Sequence, residues 1–105
     1  MPELKIKNFY KWYVIPADTE CNEIYFSSSL SDVIFSTSEF FKPTKIVTSG
    51  DLKFTGSKVK VLGETEVESN GILRLDLISY ETEELLVKPD GFIEVFSDSD
   101  LVVKP

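Results

Sequence analysis

Between Gly50 and Leu77, glycines at 50, 56, 63 and 71 cut the chain into short runs in which apolar and polar residues alternate. Successive side chains of a strand point to opposite faces, so a pairing is credible only if it sets apolar opposite apolar. Applied turn by turn, this test gives an antiparallel meander. A three-residue loop at Ser69-Asn70-Gly71, with Gly71 left-handed, pairs Val67 with Leu73 and Glu66 with Arg74. The same arithmetic at Leu62-Gly63-Glu64 pairs Val59 with Val67 and Lys60 with Glu66. A two-residue loop at Gly56-Ser57 pairs Phe54 with Val59. Leu52, Phe54, Val59, Val61, Val67, Leu73, Leu75 and Leu77 then form a buried face. Glu66 lies between Lys60 and Arg74 on the polar one, and Lys53 opposite Lys60 is a like-charge conflict.

The expected fold is therefore all-β: a mainly antiparallel meander forming a small sandwich or open barrel of about 8–9 short strands. A short β-solenoid is the alternative, with each glycine-bounded strand as one side of a coil. The uneven glycine spacing argues against regular coils. Residues 1–105 are expected to form one domain.

The flanking chain adds further strands. Leu4 to Ile15 is expected to be one long strand with Leu4, Ile6, Tyr10, Trp12 and Val14 on one face. Lys5, Lys7 and Lys11 protect its other face as an edge. Phe9, Lys11 and Tyr13 form an aromatic-plus-lysine candidate for a partner surface; packing under a neighbouring loop is the competing expectation. Ile24–Phe26, Val33–Phe35 and Lys45–Thr48 are short strands, and Ser36 to Phe41 has the residues to cap a single helical turn. Ile78–Tyr80 leads into an acidic turn at Glu81 to Glu84. Pro89-Asp90-Gly91 is expected to close a hairpin, with Gly91 supplying positive φ and Val87 opposite Ile93. Leu101–Val103 is the last strand. The pentapeptides at Leu85–Pro89 and Leu101–Pro105 are nearly identical, yet two copies are too few for a repeat architecture.

Composition narrows the chemistry. There is no histidine and one cysteine, Cys21. A Ser-His-Asp or Cys-His site is thereby excluded, as are a thiolate zinc site and an internal disulfide. Asp18, Glu20 and Glu23 match no calcium loop, and Asp98 with Asp100 reads as a solvated turn. No catalytic residue, cofactor or metal site is expected. The net charge of −7, with 18 acidic residues against 11 basic, disfavours binding to nucleic acid. No apolar run precedes the alternating pattern, so neither a signal peptide nor membrane insertion is expected. A cytoplasmic or virion-associated setting fits best.

The expected function is that of a non-enzymatic structural, assembly or protein-interaction module. It would act by self-association or on a protein partner, as in a virion decoration or connector protein or a surface assembly. One alternative is a small acidic inhibitor or adaptor, which would bind a basic surface through Glu64, Glu66, Glu68, Glu81, Glu83 and Glu84. Another is a carbohydrate-binding domain that stacks sugars on Tyr10, Trp12 or Tyr13.

Overall fold

The computed structural model describes residues 3–7, 12–15, 23–27, 31–35, 42–56 and 58–104. These residues form eleven strands: β1 (Glu3–Lys7), β2 (Trp12–Ile15), β3 (Glu23–Ser27), β4 (Ser31–Phe35), β5 (Lys45–Ser49), β6 (Asp51–Gly56), β7 (Lys58–Val67), β8 (Ile72–Asp76), β9 (Ser79–Val87), β10 (Phe92–Val95) and β11 (Asp100–Val103). Every pairing among them is parallel. One sheet runs β1-β3-β5-β7-β9-β11 and the other β10-β8-β6-β4-β2.

This is a β-solenoid. The expected antiparallel sandwich or barrel is incorrect, and the solenoid alternative fits. Lys53 pairs with Arg74 and Arg74 with Glu94, steps of 21 and 20 residues, so each residue sits beside its equivalent one coil later. The coil has three sides. The first carries β1, β3, β5 and the second halves of β7 and β9. The second carries β2, β4, β6, β8 and β10. The third carries the first halves of β7 and β9, with β11. β7 bends between the third and first sides at a register shift between Val61 and Glu64.

The turns expected to reverse the chain turn it onto the next side instead. Gly71 N–H donates to Glu68 O (2.9 Å) and Gly91 N–H to Lys88 O (3.0 Å), so the two turns stack one coil apart. Positive φ falls on Asn70 (63°) and Asp90 (65°), not on the glycines expected to supply it. Positive φ at only the third residue is the signature of a type II turn, and Pro89 suits the second. Gly71 and Gly91 are needed for close approach. A Cβ at Gly91 would lie 2.9 Å from Glu68 O, and one at Gly71 would lie 3.0 Å from the same atom.

Alternation did locate the core. Leu52, Phe54, Val59, Val61, Val67, Leu73 and Leu75 are all buried, joined by Ile24, Phe26, Val33, Phe35, Ile46, Ile78 and Tyr80. Leu77, expected among them, is a corner residue with φ of 55° and is 57% exposed. Phe54 sits at the centre of an aromatic cluster, its ring 5.2 Å from Phe26, 5.0 Å from Phe35 and 6.0 Å from Tyr80.

Upstream, Leu4–Ile15 is two strands on different sides, not one. Trp12 shares a register column with Asp32. Glu81–Glu84 is continuous strand within β9 and no turn. The two similar pentapeptides lie on different sides of the coil: Leu85 stands beside Thr65, and Leu101 beside Tyr80. The expected helical turn at 36–41 and Cys21 lie outside the described residues.

Candidate functional site

The candidate acidic residues are distributed by the coil, and the cross-strand partners expected for Glu66 are replaced. Glu64 is 3.4 Å from Lys45 Nζ. Glu66 lies 3.8 Å from Lys45 and 3.2 Å from Lys88. Glu68 lies 3.1 Å from Lys88. Glu66 thus bridges lysines from the coils before and after its own, and pairs with neither Lys60 nor Arg74. Hydrogen bonding with Glu68 and then with Lys88, together with the charges of Lys88 and Lys45, holds the Glu66 carboxyl below its ordinary range despite burial. Hydrogen bonds to Glu68 and then to Glu66 raise Lys88.

Glu81 lies on the third side, 3.6 Å from Lys60 and 3.8 Å from Lys104. Glu84 stands beside Glu64 in the register, and Glu83 lies at the bend between them. The six carboxylates therefore straddle a corner, and four of them are ion-paired. On the second side Lys53 lies between Asp32 and Asp76, and Arg74 between Asp51 and Glu94. The expected Lys53–Lys60 conflict does not arise. Of the other candidate surface, Phe9 and Lys11 lie outside the described residues, as does Tyr10. Tyr13 stands in β2 beside Val33.

A groove of about 360 Å³ crosses the first side over Val47, lined by Tyr25, Lys45, Ser49, Glu66 and Glu68. The Tyr25 hydroxyl donates to Glu23 Oε1 (2.7 Å). Beneath the bend of β7 and β9, hydroxyls form a buried chain. Tyr80 OH donates to Thr65 Oγ1 (2.8 Å), and Thr65 donates to Thr82 Oγ1 (2.9 Å). The single Thr82 hydroxyl hydrogen is shared between the carbonyls of Glu84 (2.9 Å) and Gly63 (3.2 Å). Burial holds the Tyr80 phenol well above its ordinary value. The chain ends on backbone carbonyls and is a structural clasp for the bend. Among the described residues no group of three or more His, Cys, Asp or Glu side chains is placed to hold a metal.

The feature missed from sequence is the C-terminal end of the solenoid. Leu85, Val87, Ile93, Val95, Leu101 and Val103 continue the register columns of Thr65, Val67, Leu73, Leu75, Tyr80 and Thr82, all of which are buried. Inside the coil, Val67 and Leu75 are 0% exposed. Their equivalents Val87 and Val95 in the last coil are 38% and 42% exposed, and Val103 is 44% exposed. Phe92, Leu86 and Val102 border this end and are exposed as well. Among the described residues, strand β10 and the second half of β9 pair on one edge only, which leaves their other backbone edges open. In sequence these residues look like those of any inner coil.

No family model, curated protein or solved structure matches this chain.

Proposed function

We propose that this protein is a non-enzymatic structural module that works by protein association through the C-terminal end of its solenoid. The observation that carries this reading is a ring of inward-column apolar residues, Val87, Val95 and Val103 exposed and Leu85, Ile93 and Leu101 half-buried, bordered by strand edges that are unpaired among the described residues. Repeat arrays need a polar cap on a terminal coil to stay apart in water. A contiguous apolar end with unpaired backbone groups has the chemistry of a contact surface. The acidic-adaptor reading has less support, because Glu64, Glu66, Glu68 and Glu81 are neutralised by lysines of this same chain.

Light scattering on a sizing column at low and high salt tests it. An apolar contact persists or strengthens at high salt, whereas a charge-driven one weakens. The expected outcome is a concentration-dependent mass above that of one chain at both salts, lost in Val95→Lys. A monomer at every concentration, with no partner retained through this end, refutes the proposal.

A further inference from the structure

We infer that the C-terminal end of one molecule receives β1 and β2 of a second copy, head to tail, so that the parallel ladders run on from one molecule into the next. The inference rests on the assembly reading above and identifies its partner.

The two ends are the opposite edges of the same ladders. On the first side the ladder starts at β1 and finishes at the second half of β9; on the second it starts at β2 and finishes at β10. In a parallel ladder one edge of a strand is hydrogen-bonded to the strand before it and the other to the strand after it. The last edge of one molecule is thus the natural complement of the first edge of another.

The register columns continue in the same way. One runs Leu4, Ile24, Ile46, Thr65, Leu85 and another Ile6, Phe26, Thr48, Val67, Val87. On the second side Tyr13, Val33, Phe54, Leu75 and Val95 share a column. Each starts and finishes on an apolar or aromatic residue. Setting Leu4, Ile6 and Tyr13 of a second copy after Leu85, Val87 and Val95 continues these columns on the first and second sides with residues of matching position and chemistry.

Charge selects this arrangement over its two-fold alternative. From Glu83 to Lys104 the chain carries Glu83, Glu84, Asp90, Glu94, Asp98 and Asp100 against Lys88 and Lys104, a net of −4. Strand β1 carries Glu3 against Lys5 and Lys7, a net of +1. Tail to tail, −4 meets −4 at close range, which costs free energy. Head to tail, a segment of net −4 meets a strand of net +1, and Glu3 after Glu84 is a like-charge step in register. The contact is heterologous and does not close on itself, so it adds molecules one at a time in a line.

Cysteine cross-linking tests the register directly. Lys5, Tyr25, Val47, Glu66 and Leu86 share one column, so Lys5 of the second copy would follow Leu86. Neighbouring strands lie about 4.8 Å apart, within reach of a disulfide. Lys5→Cys and Leu86→Cys are each made on a Cys21→Ser background, checked for folding by circular dichroism, and oxidised alone and mixed. Glu3→Cys with Glu84→Cys, which share the column two residues away, forms a second pair should either first variant fold poorly. The expected result is a covalent dimer in the mixture and in neither variant alone. A dimer of the Leu86→Cys variant alone, as abundant as in the mixture, overturns head-to-tail stacking in favour of a two-fold contact. Oligomers by light scattering without any cross-link overturn it too, while leaving the assembly reading standing. A monomer by light scattering ends both.

Discussion

Two buried threonines on the same side of the coil respond to the same substitution with opposite signs. Thr48 and Thr65 are 1% and 0% exposed and lie on neighbouring strands of the first side. Thr65 Oγ1 accepts from Tyr80 and donates to Thr82. Thr48 Oγ1 is buried with no hydrogen-bond partner. Valine matches threonine in shape and keeps the β-branch that suits a strand. Thr65→Val leaves the Tyr80 phenol a buried donor with nothing to receive it, a loss of about 1–3 kcal/mol. Thr48→Val removes a hydroxyl whose uncompensated burial costs about 1–3 kcal/mol, so stability rises by about 1 kcal/mol or more. The two variants therefore differ by about 2–5 kcal/mol. With a urea dependence of about 2 kcal/mol/M their unfolding midpoints separate by about 1–2.5 M, on either side of the parent protein. Urea melts followed by circular dichroism measure this. Adding Tyr80→Phe to Thr65→Val should recover part of the loss, because the orphaned donor is then gone. Equal shifts of the same sign for Thr48→Val and Thr65→Val would refute the hydrogen-bond assignments at the bend.

Phe54→Ala should cost about 3–5 kcal/mol, as its ring is fully buried among three others. Phe92→Ala, 50% exposed on the last coil, should cost about 1 kcal/mol; comparable urea midpoints for the two would contradict the burial gradient, and Phe54→Leu serves if Phe54→Ala does not fold. Gly56 has φ of 140°, and a Cβ there would come within 2.4 Å of Phe35 O, so Gly56→Ala should lose at least about 1–3 kcal/mol in the same melts. The folded protein holds the Glu66 carboxyl below its ordinary value, so its contribution is complete above the ordinary carboxylate range and is lost as pH falls through the lower folded value. Glu66→Gln should flatten this acid limb of a stability–pH curve, and an unchanged limb would rule out the Lys45 and Lys88 pairing as its source. Amide exchange in β10 should slow as protein concentration rises while that of β6 stays constant, since only the end coil is covered by docking.

Which residues are buried was legible because alternation belongs to a single strand. Leu52, Phe54, Val59, Val61, Val67, Leu73 and Leu75 point inward whatever their strand pairs with. The partner of each strand was not legible from its turns. Asn70-Gly71 and Pro89-Asp90-Gly91 contain the residues that close hairpins, and the same chemistry turns a coil corner. The apolar match of Val67 with Leu73 cannot separate the two, because an inward residue matches inward residues on every side. One signal did point to coils. Gly50, Gly71 and Gly91, spaced 21 and 20 apart, sit at one stacked corner, where Ile72 N–H donates to Gly50 O and Phe92 N–H to Gly71 O. Taken with Gly56 and Gly63, which serve other positions, the spacing looks irregular. The ion pairs follow the same logic: Glu66 finds Lys45 and Lys88 only once residues about 20 apart are neighbours.

The change of fold also changes where association can occur. A closed barrel has no free strand edges, and its contacts must be made by outward side chains; on that basis the acidic stripe and the aromatic strand were the natural candidates. A solenoid cannot close. Each coil buries its inward residues by stacking on its neighbours, and among the described residues the coil of β10 and β11 is stacked on one side only. Leu85, Val87, Leu101 and Val103 continue buried register columns, yet Val87 and Val103 are exposed and Leu85 and Leu101 are only half-buried. The same residues make this end the first to fray and the one that gains most from a partner. Fraying and docking thus compete for one set of side chains. A ligand that supplies the missing coil stabilises the fold as it binds, and a second copy offers such a coil at β1 and β2.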